Sequence, residues 1–395
     1  MSAAVMKTID GSITLMKHLK RGREFESLAE ELLNRKKEFV LWGAANIGQK
    51  IYEIYYEEIN IIGIVDKDEN KTGKLISNLL IETPDVLDAA RDYIVIVTTS
   101  ALDSVHFELE KKGFQKNINY IDYMFFVKIF ELYKYNRLFS ERIDISLTEK
   151  CTLKCKKCNM FMTYFKDPSE QPFEQVKRDI DLYFKTVDFV YGLNLLGGEP
   201  FLYSELDKIL KYIGENYRNR IHKIEIFTNG MLFPDDKMLE SLKKYNVIIQ
   251  ISDYTDRVDY KKRKEDLTGL LEKHDIQYKV LRSDEWGDFG FPENPNDLMN
   301  EEQLTHFFNR CRAPFRGLYR QKVYFCHLET SAVRAGLFPD HKNDSFDLQG
   351  EYSDKKISFL EFDEGYCEKG YITFCAKCRG CSCVNDLTVV SAEQC

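Results

Sequence analysis

Ile143-Asp144-Ile145-Ser146-Leu147-Thr148-Glu149-Lys150-Cys151-Thr152-Leu153-Lys154-Cys155-Lys156-Lys157-Cys158 couples a short apolar strand to a loop carrying three cysteines. Ile143 to Leu147 alternates apolar and polar residues, the period of a strand. The cysteines follow at once with C-x3-C-x2-C spacing. Three thiolates from one short loop can ligate three irons of a four-iron cluster, leaving the fourth iron open to another ligand. A zinc site needs a fourth ligand, so the alternative is a zinc knuckle completed by a distant cysteine or histidine.

Downstream, apolar runs recur at Phe189 to Leu196, Lys223 to Phe227, Val247 to Ile251 and Gln277 to Leu281. Helical patterns lie between them at Phe173 to Phe184, Ser204 to Asn216, Asp236 to Tyr245 and Lys262 to His274. Repeated strand-helix units predict an α/β fold, an open or partial TIM-like barrel whose chemistry sits at the C-terminal ends of its strands. The cysteine loop follows the first of these strands. Gly197-Gly198-Glu199-Pro200 follows the second and so lies on the same rim.

The cysteine triplet together with this tetrapeptide resembles the radical S-adenosylmethionine (SAM) superfamily over about Arg142 to Arg282. The resemblance implies a partial (β/α)6 barrel, with a 4Fe-4S cluster on Cys151, Cys155 and Cys158 and SAM on the open iron. It further implies that Gly197, Gly198 and Glu199 receive the SAM amino group. Glycines let the main chain approach a ligand closely, and a carboxylate stabilises an ammonium. On this reading Gly198→Val is expected to harm SAM affinity more than the fold. Thr228 and Asn229 after the third strand and Ser252 after the fourth match rim positions that contact SAM in the family, although Asn229-Gly230 also reads as an ordinary turn. Lys157 departs from the family pattern, in which an aromatic precedes the third cysteine and packs on adenine; Phe161 or Tyr164 could substitute.

Cysteine usage marks the rest of the chain. None of the eleven lies in the first 150 residues, and eight lie between 311 and 395. A long chain of cytoplasmic character does not use them as a disulfide framework, which leaves metal ligation. Cys311 and Cys326 flank Gly317, and Cys375, Cys378, Cys381 and Cys383 follow. The layout is similar to the twitch or SPASM extensions of radical SAM enzymes, which implies one auxiliary 4Fe-4S cluster on Cys311, Cys326, Cys375 and Cys378, with Cys381 able to replace one ligand. Structural zinc is the alternative for the C-x2-C pair. Cys367, Cys383 and Cys395 belong to no motif.

Before the barrel, Phe39 to Gly48 reads as strand, turn and helix start, followed by strands Ile61 to Val65 and Tyr93 to Val97 and a helix Leu102 to Lys112. This is a Rossmann-like pattern. Gly43-Ala44-Ala45-Asn46-Ile47-Gly48 is a degenerate G-x-G-x-x-G, and Asp66 ends the next strand 23 residues after Gly43, where it could meet a ribose hydroxyl. The layer resembles modules attached to sugar-modifying and glycan-assembly enzymes, which implies a small polar or nucleotide-linked substrate. Four segments are expected: a Rossmann-like domain (1–122), an amphipathic linker helix (123–141), the partial barrel (142–293) and a small cysteine-rich auxiliary-cluster domain (294–395).

With 44% hydrophobic residues the chain can fill such cores, and a net charge of -8 speaks against a general nucleic-acid or anionic-membrane surface. Met1 to Lys7 has no signal-peptide run, and no stretch reaches the roughly 20 apolar residues of a membrane span. A cytoplasmic enzyme is expected. Its electron donor would be reduced flavodoxin or ferredoxin, and its 5′-deoxyadenosyl radical would take a hydrogen atom from the substrate, with dehydrogenation or epimerisation as outcomes. Two other readings stay open: a radical SAM maturase of a ribosomally made peptide, and a non-catalytic zinc- and nucleotide-binding protein.

Overall fold

The structure, a computed structural model, describes residues 23–296, 298–311, 315–381 and 384–395; Met1 to Lys7 and Cys383 lie outside them. The chain divides into two compact units, Met1–Arg137 and Leu138–Cys395.

The first unit contains α1 (Arg23–Leu33), β1 (Glu38–Trp42), α2 (Asn46–Tyr55), β2 (Asn60–Val65), β3 (Leu75–Ile76), β4 (Leu79–Glu82), β5 (Tyr93–Val97), α3 (Leu102–Lys111), β6 (Tyr120–Asp122) and α4 (Tyr123–Tyr135). Its sheet runs β3-β4-β2-β1-β5-β6, with β3 the antiparallel edge and the rest parallel. Strand order reverses between β1 and β5, where the Gly43 turn and Thr98 emerge. Helix α4, expected as an amphipathic link, is instead part of this unit. It buries Phe125, Phe126, Ile129 and Phe130, and Asn136 in the left-handed region ends it. With apolar residues on several faces, it seeks a core rather than a surface.

The second unit opens on β7 (Phe139–Thr148), followed by α5 (Phe173–Thr186), β8 (Phe189–Gly197), α6 (Leu206–Asn216), β9 (Ile221–Thr228), α7 (Asp236–Lys244), β10 (Val247–Asp253), α8 (Lys261–Lys273) and β11 (Tyr278–Arg282). Each strand pairs parallel with the next. β7 begins three residues before the expected boundary, because Phe139 and Ser140 already pair with Phe189 and Val190. Ile143, Ile145 and Leu147 are fully or almost fully buried, which stabilises the strand by roughly 1.5–3 kcal/mol per side chain.

The region after 293 does not separate as a compact unit of its own. After β12 (Glu285–Gly287) and α9 (Glu301–Arg310), the strands β13 (Gly317–Tyr319), β14 (Lys322–Tyr324) and β15 (Ser345–Asp347) extend the same sheet beyond β7. The order is β11-β10-β9-β8-β7-β13-β14-β15, an open sheet with β13 parallel to β7 and the last pairs antiparallel. Helices α10 (His327–Arg334) and α11 (Lys355–Asp363) and the strand β16 (Thr388–Val390), paired with β12, complete the unit.

Candidate functional site

The C-terminal ends of β7, β8, β9 and β10 are level. Thr148 pairs with Gly197 and Thr228 with Ile251, so the loops that follow converge on one edge of the sheet. Cys151, Cys155 and Cys158 lie in one small apolar patch with Leu153, Met231, Tyr254, Trp286 and Ala392. Tyr254 and Trp286 pack edge to face, ring centres 5.6 Å apart. These two aromatics went unnoticed in the sequence, because neither lies near the triplet along the chain.

Burial raises the Cys151 thiol to about 12 and the Cys155 thiol to about 11, and also raises Cys158. Backbone N–H groups work against it. Leu153 N–H faces Cys151 Sγ at 3.5 Å, the N–H groups of Met160 and Met162 lie near the Cys158 thiol, and Phe161 N–H donates to the Cys158 carbonyl at 2.9 Å. Such donors favour thiolate, the form a metal requires.

The glycine tetrapeptide is held against the cysteine loop. Gly198 N–H donates to Thr148 O and Glu199 N–H to Lys150 O, both at 2.8 Å. A methyl group on Gly198 would stand 2.2 Å from Lys150 O and 3.0 Å from Cys151 Cβ, and one on Gly197 2.4 Å from Thr148 O. These glycines are therefore required for packing of the loop itself. The expectation that Gly198→Val harms SAM affinity more than the fold meets a loop in which the added side chain strikes backbone, so the fold bears a cost of its own.

Glu199 is fully buried and spans the β8 and β9 loops. Its carboxylate accepts from Thr228 Oγ1 at 2.8 Å, Asn229 N–H at 2.9 Å and Phe201 N–H at 3.1 Å. Burial outweighs these donors and raises its pKa to about 7. Asn229 Nδ2 reaches Thr152 Oγ1 at 2.9 Å and lies 3.7 Å from Cys151 Sγ, while its Oδ1 closes a turn onto Met231 N–H. The Asn229-Gly230 dipeptide is thus a turn and also a contact to the cysteine loop. Ser252 lies on the same edge, its carbonyl accepting from the Tyr260 hydroxyl at 3.1 Å. Phe161 is only 4% exposed and packs edge to face on Phe291. It belongs to the core cluster of the second cysteine group and also lines the cavity beside Cys158. Tyr164 lines a cavity of about 330 Å³ with Lys157, Cys158 and Glu293.

One face of the strands is polar. Asp144 accepts from Asn194 Nδ2 at 2.6 Å and Arg142 Nε at 2.9 Å, and Gln250 Nε2 donates to Glu225 at 2.5 Å. Asn194 Oδ1, Gln250 Oε1 and His327 Nδ1 are buried with no hydrogen-bond partner among the described residues. Burial holds the His327 imidazole below its ordinary value, although Asp144 stands 3.7 Å from Nδ1. Buried polar atoms left in this state cost roughly 1–3 kcal/mol each.

The second cysteine group is brought together as well. Cys311, Cys326, Cys375, Cys378 and Cys381 line a cavity of about 410 Å³ walled by Phe289, Phe307, Phe308, Phe325 and Phe374. Cys311 and Cys381 sulfurs are 3.8 Å apart, so Cys381 joins the four expected residues. Burial pushes Cys378 up to about 12 and raises Cys326 and Cys375. Cys367 packs at the edge of the same core. Among the described residues no three His, Cys, Asp or Glu side chains form a group that would hold a single metal ion.

In the first unit, Asp66 accepts from Ala44 N–H at 2.8 Å, Asp68 N–H at 2.9 Å and Lys71 Nζ at 2.9 Å. The carboxylate expected to meet a ribose also fixes the Gly43-Ala44 turn. No helix among the described residues is long and apolar enough to cross a membrane.

The model of the Radical SAM superfamily matches residues 145–264, and that of the C2185-like N-terminal family matches residues 35–118. An S-adenosylmethionine-dependent nucleotide dehydratase of Selenomonas ruminantium is 30% identical over 98 residues, which are 25% of this chain and 33% of that protein. The match thus spans about a third of the relative's length. Among solved structures, BtrN in complex with AdoMet and 2-DOIA is 18% identical, covering 62% of this chain and 94% of that one, with a TM-score of 0.40. SuiB of Streptococcus suis bound to S-adenosylmethionine is 16% identical, covering 67% and 57%, with a TM-score of 0.31.

Proposed function

We propose that this chain is a radical SAM enzyme acting on a small polar substrate, with Cys151, Cys155 and Cys158 holding the SAM-cleaving 4Fe-4S cluster. The observation that carries the reading is the convergence of the cysteine loop, Gly198-Glu199 and Thr228-Asn229 on one edge of a parallel sheet, inside the stretch that matches the superfamily model. The donor set fits the group. Four ligands of one zinc ion crowd within about 2.3 Å of it, whereas each cysteine of a cubane binds a different iron.

Bound by Cys151, Cys155 and Cys158 and reduced, such a cluster would supply the one-electron reductive cleavage of SAM that starts hydrogen-atom abstraction from a substrate carbon. The chain's residues prepare for this. N–H groups facing Cys151 and Cys158 favour their thiolates. Glu199, its pKa raised by burial, gains from an ammonium placed beside it, so the SAM amino group would find a carboxylate already aligned by Thr228 and Asn229. Tyr254 and Trp286 offer the apolar surface and exclude water from the reacting edge.

The polar face built from Asp144, Asn194, Glu225 and Gln250, with its unpartnered buried atoms, supports a substrate rich in hydroxyl or amine groups. The relative named as a nucleotide dehydratase supports a nucleotide-linked form of it. Cys311, Cys326, Cys375 and Cys378, with Cys381 beside them, would hold one auxiliary 4Fe-4S cluster.

The test is direct. Under anaerobic conditions with dithionite, Cys155→Ala should form no 5′-deoxyadenosine from SAM while keeping the absorbance of the auxiliary cluster. Cleavage retained by the variant, or stoichiometric zinc with little iron in the wild type, would refute the reading.

A further inference from the structure

Residues 391–395 return to the cysteine loop and pair with it. Lys156 N–H donates to Glu393 O at 2.7 Å, Cys395 N–H donates to Lys154 O at 2.8 Å, and Cys155 and Gln394 form an antiparallel bridge. Ala392, fully buried with φ of +52°, makes the turn that permits this. At the centre lies the Gln394 amide. Its Oε1 accepts from Lys154 N–H at 2.8 Å, and its Nε2 donates to Ala392 O at 2.7 Å and to Cys155 Sγ at 3.4 Å.

The orientation of that amide is determined by its partners. Lys154 N–H can only donate and Ala392 O can only accept, so the oxygen must face the first and the NH2 group the second. The remaining amide hydrogen is then directed at the sulfur. Cys155 is 8% exposed, so water competes little for the contact.

We infer that Gln394 is a positioning residue for the cluster: its side-chain N–H donates to the Cys155 thiolate, fixes that ligand and raises the reduction potential of the cluster. The inference rests on the cluster reading of Cys155. A hydrogen bond to a cluster sulfur withdraws charge from it and favours the reduced, more negative state, one of the levers that set such potentials. No other part of the sequence signals this, since Cys155 and Gln394 lie 239 positions apart.

The experiment uses the full chain reconstituted anaerobically with iron and sulfide. The midpoint of the cluster whose electron paramagnetic resonance signal is perturbed by SAM is titrated in wild type, Gln394→Leu and Gln394→Glu. The glutamate keeps an acceptor for Lys154 N–H but has no hydrogen for the sulfur or for Ala392 O, and in both variants the backbone bonds of Glu393 and Cys395 to the loop remain to hold the segment. Both variants should raise the oxidised-to-reduced ratio at the wild-type midpoint three- to tenfold, the upper end being a fall of about 59 mV for one electron. The auxiliary cluster's midpoint should stay in place. Wild-type midpoints in both variants would sink the inference alone. A wild type without any SAM-perturbed signal would sink the cluster reading and this inference with it.

Discussion

At Gly198 a single methyl group would stand 2.2 Å from the Lys150 carbonyl oxygen, nearer than any unstrained contact. The obstacle is backbone, held by the Glu199 N–H bond to that same oxygen, and it cannot rotate aside as a side chain would. Gly198→Ala should therefore destabilise the ligand-free protein by about 1–3 kcal/mol, as forced overpacking does. Thermal unfolding of the apo variant beside wild type measures this. An unchanged melting transition would show that the loop yields without cost. The sequence points to this glycine through a family likeness, and the structure adds a reason of its own, the close approach of the Lys150 carbonyl. Asp66 teaches the same point. A strand-ending acid at dinucleotide spacing reads as a ribose partner, and the structure gives it a second use, three donors that fix the turn after β1.

Among the elements, α5 is tied to the β13–β14 turn by Asp179, 2% exposed, which accepts from Gln321 N–H at 2.8 Å and Gln175 Nε2 at 2.6 Å. Burial outweighs these bonds and lifts its pKa from 3.8 to about 6. The folded state thus holds this proton more tightly than the unfolded one. Its contribution to stability is complete below about pH 3.8 and is lost as pH rises through about 6. Asp179→Asn retains an acceptor and cannot ionise, so urea unfolding from pH 4.5 to 7.5 should favour the variant increasingly, by up to about 3 kcal/mol. A difference that stays flat across that range would contradict it. The same elements show what the sequence reveals. β5 was legible because a parallel strand covered on both faces is a continuous apolar run bounded by turns, and β8 and β10 because their apolar runs are broken only by single polar residues such as Asn194 and Gln250. β13, β14 and β15 were not: at three residues each they are shorter than any periodicity, and only their pairing with β7 and with one another makes them strands.

Across the second unit, eight of the cysteines among the described residues fall into two groups. The triplet sits with Tyr254 and Trp286, and the other group sits in a phenylalanine-lined cavity of about 410 Å³. The two groups share no ligand, so they should load and fail separately. Cys375→Ala with Cys378→Ala removes two adjacent ligands from the cavity and none from the loop. If each group holds a four-iron cubane, anaerobic iron analysis should fall from about eight to about four per chain. Formation of 5′-deoxyadenosine from SAM under dithionite should persist, because an external reductant needs no auxiliary cluster to reach the triplet. Turnover of substrate should be lost, since the second cluster is where bound substrate or its second electron would go. Iron falling to near zero would mean that the cavity's packing supports the triplet loop through Phe289 and Leu328, which line both this cavity and the one beside Cys158. In that event the two cysteine groups would form one cooperative metal-binding core, and the order in which they acquire iron would become part of how the unit folds.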